Sequence, residues 1–127
     1  MKRLLIGLAL SLVATAASAQ WVLVATGASG TKTYADPASK KRSGNIVRMW
    51  ELRDYAKAEV INGKLSYSDQ MYIQYDCATG TRQSLQTTGF TGKMATGESL
   101  GVREQAHEKR FVAPGSVGET LFNLACK

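Results

Sequence analysis

The sequence predicts an α+β domain: a small antiparallel β-sheet of about six strands with one C-terminal helix packed on it. Three observations lead there. Between Ser68 and Cys77 the residues alternate, with Met71, Ile73, Tyr75 and Cys77 on one face and Ser68, Gln70, Tyr72, Gln74 and Asp76 on the other, which is the period of a half-buried strand. Ser116-Val117-Gly118-Glu119 has the spacing of a capping box, in which the Ser hydroxyl and the Glu carboxylate satisfy open backbone N–H groups at a helix start. Val117, Leu121 and Leu124 follow at i, i+4 and i+7, and Phe122 and Ala125 widen that stripe. Finally, turn-forming clusters divide the chain before Ser116 into short β-rich runs, as antiparallel strands require.

Taken in order, Trp21-Val22-Leu23-Val24 opens with β-formers, Gly27-Ala28-Ser29-Gly30 turns, and Thr31 to Ala35 resumes, a hairpin. Asp36-Pro37-Ala38-Ser39 is expected to break the strand, because proline fixes φ and aspartate caps turns; Lys40 to Asn45 is polar and loop-like, with room for a short helical turn. From Ile46 to Tyr55 the chain alternates again, with Ile46, Trp50 and Leu52 opposite Val47, Met49 and Glu51. Neither face is cleanly polar, so cover on both sides is expected. Asn62-Gly63 is a strong turn pair, but Ala56 to Lys64 reads as a loose excursion rather than a tight hairpin. Ala78-Thr79-Gly80 turns the chain into a weakly apolar strand, Thr81 to Phe90, with Arg82, Ser84, Gln86 and Thr88 opposite Gln83, Leu85, Thr87 and Gly89, expected near an edge. Gly89, Gly92, Gly97 and Gly101 mark a flexible loop; Glu104 to Arg110 is helix-compatible by composition, and Phe111-Val112-Ala113 is a last short strand before Pro114-Gly115.

Lys2 and Arg3 precede the apolar run Leu4 to Val13, and Ala17-Ser18-Ala19 sets small residues where a signal peptidase reads. Residues 1–19 are therefore expected to be a signal peptide and residues 20–127 the domain. With cleavage after Ala19 no cysteine stands at the new N-terminus to accept a lipid, so a free exported protein is expected, in the periplasm, at the cell surface or secreted. Of 127 residues 108 then remain, carrying 14 of the 16 Lys and Arg against 10 Asp and Glu, a net charge of +4. A chain of this size builds one core, which excludes a multidomain enzyme with an interdomain cleft. No other stretch approaches the ~20 apolar residues of a membrane span.

Cys77 and Cys126 are the two cysteines. An even count in an exported chain makes a disulfide the expectation, and closing that loop stabilises a fold by roughly 4 kcal/mol on the chain-entropy model. A redox or metal site would need Cys-x-x-Cys or nearby histidines, and the single histidine, His107, lies in a charged run that reads as solvated surface. There is no His-Glu-x-x-His pair and no phosphate-cradling Gly-x-x-x-x-Gly-Lys loop. Asp36, before proline at a strand end, is a turn residue rather than a catalytic acid. No catalytic residue, cofactor or metal is expected.

The basic residues are the candidates for binding. Lys40, Lys41 and Arg42 form a compact positive segment, to which Lys109 and Arg110 would add if the fold brought them close; such clusters attract polyanions or acidic protein patches. The competing reading is scattered surface charge. Export, and the lack of a recognition helix or stacked-aromatic motif, disfavour nucleic acid.

The pieces together resemble the surface-adhesin protein E-like domain of exported bacterial proteins. The resemblance covers nearly the whole domain and rests on Trp21-Val22-Leu23-Val24, Tyr34-Ala35-Asp36-Pro37-Ala38-Ser39, Val47-Arg48-Met49-Trp50 within Gly44 to Tyr55, Tyr75-Asp76-Cys77, and Pro114-Gly115-Ser116-Val117-Gly118-Glu119-Thr120-Leu121 through Cys126. It implies a small antiparallel sheet with a packed helix, and adhesion to host extracellular-matrix proteins. Two functions follow as expectations. One is a binding or adhesion module for a matrix protein or an envelope polyanion. The other is a periplasmic accessory domain with a structural role. Homo-oligomerisation stays open.

Overall fold

The computed structural model describes residues 20–103 and 108–127. The expected signal peptide and residues 104–107 of the helix-compatible segment, His107 among them, lie outside the described residues; the described end of that segment, Glu108 to Arg110, is not helix, and Arg110 is strand. Seven strands and one helix follow each other as β1 (Val22–Thr26), β2 (Lys32–Ser43), β3 (Ile46–Ile61), β4 (Lys64–Asp76), β5 (Thr81–Phe90), β6 (Ser99–Arg103), β7 (Arg110–Phe111) and α1 (Val117–Cys126). The sheet is antiparallel in the order β1-β2-β3-β4-β5-β6, with β7 pairing β5 beside β6. This is the expected α+β architecture, a meander in which β1 to β6 each pair with their neighbours in sequence.

Two local expectations are corrected. The strand does not end at Asp36-Pro37: β2 continues to Ser43, and the irregularity between Asp36 and Lys41 is absorbed as a bulge. Proline removes a ladder donor there, and the Ser39 hydroxyl replaces the lost pairing by donating to Asp36 O (2.6 Å) while accepting from Trp50 N (3.0 Å). Lys40 to Ser43 is thus strand, joined to β3 through Gly44-Asn45. The excursion after Ala56 is also strand, for Ile61 pairs with Lys64 across Asn62-Gly63. Both turn residues have positive φ (51° and 76°), as a two-residue hairpin turn with the right-handed twist demands. β5 lies near the edge, as expected, with only the short β6 and β7 outside it. It pairs with β4 on one side and with β6 and β7 on the other. Its alternation breaks where Ile73 faces Ser84 but Tyr72 faces Gln86; Leu85 is the extra residue, so Arg82, Ser84 and Thr87 share a face.

Helix α1 starts where the sequence places it. Ser116 Oγ accepts from Glu119 N (3.1 Å), and the Glu119 carboxylate reaches back to Gly115 N (3.5 Å), one residue earlier than in the standard box. Its stripe docks on the first face of the sheet. Leu121 and Ala125 are buried with Ala35, Val47, Met49, Met71, Ile73 and Tyr75, and Phe122 meets Tyr75 edge-on at 6.1 Å. The Cys77–Cys126 disulfide is present, with Cα atoms 5.7 Å apart, and ties the end of α1 to the residue after β4. The opposite face is covered at the other end of the strands by the loop 91–98. Ser68 Oγ donates to Gly92 O and accepts from Ala95 N, while Asp54 Oδ1 accepts from Met94 N. Leu52, on that second face, is fully buried, in line with the expected two-sided cover of β3. Among the described residues no helix is long and apolar enough to cross a membrane.

Candidate functional site

Helix and loop cover opposite faces at opposite ends, so each face keeps one open region. The expected basic cluster lies at the rim of one of them, and the structure divides it. Lys40 Nζ donates to Leu124 O (2.9 Å) and Lys127 O (3.4 Å), and Arg42 Nη1 donates to Cys126 O (3.3 Å). These are the open carbonyls at the end of α1, where the helix dipole favours cations. Helix α1 has no basic residue in its own last turn; β2 supplies the charge. Lys41 points to the other face, in register with Arg48. Lys109 and Arg110 do not join the cluster. Arg110 is in β7, separated from β2 by β3, β4 and β5.

Lys41 and Arg48 flank an open groove of about 580 Å³ on the second face, lined also by Ser43, Ile46, Tyr72 and Gln74, with Arg42 at its margin. Register builds it: Trp50 lies opposite Tyr72 and Arg48 opposite Gln74. The Trp50 and Tyr72 rings stack at 4.6 Å, and Arg48 Nε donates to Gln74 Oε1 (2.9 Å), which holds the guanidinium against the sheet. The lining contains three cations and no carboxylate. A half-buried aromatic platform beside fixed cations presents a polarisable surface for apolar contact and a positive field for steering. The sequence signal for it was Tyr72, an aromatic on an otherwise polar strand face.

The first face beyond α1 is different. Here Glu51 and Asp69 are buried at 0% and 2% exposure, each with an arginine. Arg53 grips Asp69 with two hydrogen bonds (3.0 and 2.5 Å), and Tyr55 also donates to Asp69. Arg82 Nη2 donates to Glu51 Oε1 (3.2 Å), and the Tyr75 hydroxyl donates to Glu51 Oε2. Burial pushes the Glu51 carboxyl up to about 7, against the opposing pull of Arg82, Tyr75 and Arg53. Tyr75 and Tyr55 are likewise raised, first by burial and then by the neighbouring carboxylates. Burial works against the charge on Arg53, but its bonds to Asp69 outweigh that and raise it. These groups cross-link strands and are not arranged for turnover.

One catalytic pattern in the chain is coincidental. Gly97-Glu98-Ser99-Leu100-Gly101 spells Gly-x-Ser-x-Gly, whose chemistry needs a sharp strand-to-helix turn that exposes the Ser. Ser99 instead opens β6 and the chain runs on as strand, so the elbow does not exist.

Comparison with known proteins agrees with this architecture. A family model described as surface-adhesin protein E matches residues 21–127. No curated protein matches the sequence. Among solved structures, Haemophilus influenzae protein E superposes with a TM-score of 0.67 at 12% identity, covering 87% of this chain and 86% of that one. A second crystal form of it gives 0.69 at 13%, covering 88% and 91%. Protein E from non-typeable Haemophilus influenzae gives 0.60 at 15%, covering 80% and 71%. At such identities the structures speak for the fold alone; the match of the family model over the whole described domain carries the assignment, and the chain belongs to the surface-adhesin protein E family.

Proposed function

We propose that the protein is an exported, non-enzymatic adhesion-type binding domain. Its contact surface is the groove on the second face, and it engages the acidic surface of an extracellular-matrix protein or an envelope polyanion. The observation that carries this reading is the groove itself: Lys41, Arg42 and Arg48 with no opposing carboxylate, beside the stacked Trp50 and Tyr72. Membership of a surface-adhesin family supports a binding role over a catalytic one. The electrostatic part of such an interaction is screened over ~8 Å at physiological ionic strength, so binding is expected to weaken as salt rises.

The test reverses charge at Lys41 and Arg48 only, because Lys40 and Arg42 also hold the end of α1. Binding of the double variant Lys41→Glu/Arg48→Glu to immobilised heparin, lipopolysaccharide and matrix protein is compared with that of the parent at matched melting temperature. Loss of binding supports the groove, and the arm that responds names the partner class. Unchanged binding with an intact fold removes the groove from consideration. Protease shaving of intact cells adds the destination: a chain protected within the envelope would favour the periplasmic accessory role.

A further inference from the structure

The open region of the first face, beyond α1, has the features of a second and separate binding site. Three arginines from three strands converge there, Arg53 of β3, Arg82 of β5 and Arg110 of β7, around a cavity of about 300 Å³. The β5 bulge contributes by turning Ser84 and Thr87 to the same face as Arg82. Met71 and Ile73 of β4 form an apolar floor.

The guanidinium groups are held and yet keep donors. Arg53 uses Nε and Nη2 on Asp69, so among the described residues its Nη1 donors have no partner. Arg82 uses Nη2 on Glu51, and its Nε is buried without a hydrogen-bond partner among the described residues. The Arg82 Nε is closed off from solvent, so the donors a ligand can reach are the Nη1 group of Arg53 and the guanidinium of the exposed Arg110, and an acceptor placed there gains from geometry already in place. The fork of an arginine matches planar oxyanions. Charge narrows the class. Three arginines face three carboxylates, Asp69 and Glu51 beneath them and Glu108 at the rim; with burial holding Glu51 partly protonated at neutral pH the surplus is less than one positive charge, too little for a dianion, which the Glu108 carboxylate would also repel more strongly than a single charge. A monoanion is the better match. The hydroxyls of Ser84 and Thr87 can donate to its oxygens, and the Met71 and Ile73 floor accepts apolar atoms attached to it.

We propose that this cavity binds a carboxylate carried on a short aliphatic body, either a free acid or the C-terminal residue of a peptide. The reading is independent of the groove on the other face. Hexanoate, inorganic phosphate, and one short peptide ending in leucine, with a free and with an amidated C-terminus, are titrated into the protein while the arginine Nε–Hε NMR signals are followed. Hexanoate or the free-acid peptide should shift the Arg53 and Arg82 signals saturably, the tighter of the two naming the source, and phosphate and the amidated peptide should not. Arg53 and Arg82 hold buried carboxylates, so the variant to use is Arg110→Gln, which should weaken binding about tenfold, the worth of one charged hydrogen bond. Lys41→Glu should leave it unchanged. Absence of saturable shifts, equal response to phosphate or to the amidated peptide, or undiminished affinity in Arg110→Gln would overturn the proposal.

Discussion

The sheet is covered twice, by unlike means. At one end α1 lays an apolar stripe on the first face and is locked there by a disulfide. At the other end the loop 91–98 lies on the second face through hydrogen bonds to Asp54 and Ser68, with Lys93 Nζ donating to Tyr55 O. Burial of apolar area is non-directional and tolerates small shifts, whereas hydrogen bonds fix position but contribute little net stability. The helix should therefore hold the fold together while the loop sets local geometry. Because the two covers sit at opposite corners, each leaves bare the face the other covers, and that is how a domain of this size presents two open regions with one core.

The largest expected effect breaks the helix cover. Leu121 is 2% exposed, and Leu121→Asp buries a carboxylate without a partner, which should cost on the order of 4 kcal/mol or more. Denaturant unfolding followed by tryptophan fluorescence measures it, and an unchanged midpoint would mean that α1 does not depend on this stripe. Next comes the lock. Replacing Cys77 and Cys126 together by Ser should lose roughly 4 kcal/mol on the chain-entropy model, whereas two free thiols in the exported protein would show that the helix is held by packing alone.

A third test concerns the buried ion pair at the margin of α1, where Tyr75 packs on Phe122 and Arg82 lies beside Gly118. Glu51 titrates near 7 in the folded chain and near 4.5 when unfolded. Between those values the folded state binds the extra proton, so stability falls as pH rises through that window, and above it the deficit is full, on the order of 3 kcal/mol. The melting temperature should thus be higher at pH 5.5 than at pH 8, and Glu51→Gln should flatten that slope. A parent profile that is already flat would show that Arg82 and Tyr75 keep Glu51 ionised throughout.

Much of the helix side was legible in the sequence. The alternation of β4, the Ser116 cap and the cysteine pair are local or combinatorial signals, and α1 and the Cys77–Cys126 bond lie where they point. What failed depends on pairing. Nothing local says that β2 survives Pro37, because the rescue comes from Ser39 bonding to Trp50 of another strand. The extra residue Leu85 is defined only against β4, so strict alternation assigned Thr87 to the wrong face. The division of the basic cluster has the same origin: Lys40 and Arg42 serve carbonyls 84 or more residues away, a contact that exists only once α1 has docked. Trp50 and Tyr72 were assigned correct faces, but their stacking needed the register of β3 and β4.

The smallest expected effect sharpens the account of the loop. Met94 and Ala95 both lie in the left-handed region, with φ of 54° and 56°, where a residue with a Cβ is strained by roughly 1 kcal/mol or more. Two such residues in succession persist because Asp54 and Ser68 each accept the backbone N–H that this conformation presents. Ala95→Gly removes the steric strain but adds freedom to the unfolded chain, which costs about 0.5–1 kcal/mol in return. The net should be a gain of no more than about 0.5 kcal/mol, whereas Ser68→Ala, which deprives both Ala95 N and Gly92 O of a partner, should lose about 1–2 kcal/mol. Pairing the two changes decides between strain and cover. If the loop is held in its strained form by Ser68, Ala95→Gly should recover part of the Ser68→Ala loss in the double variant. A glycine that destabilises both backgrounds equally would show that the Ala95 methyl contributes by packing and that strain has little part in how the loop is held.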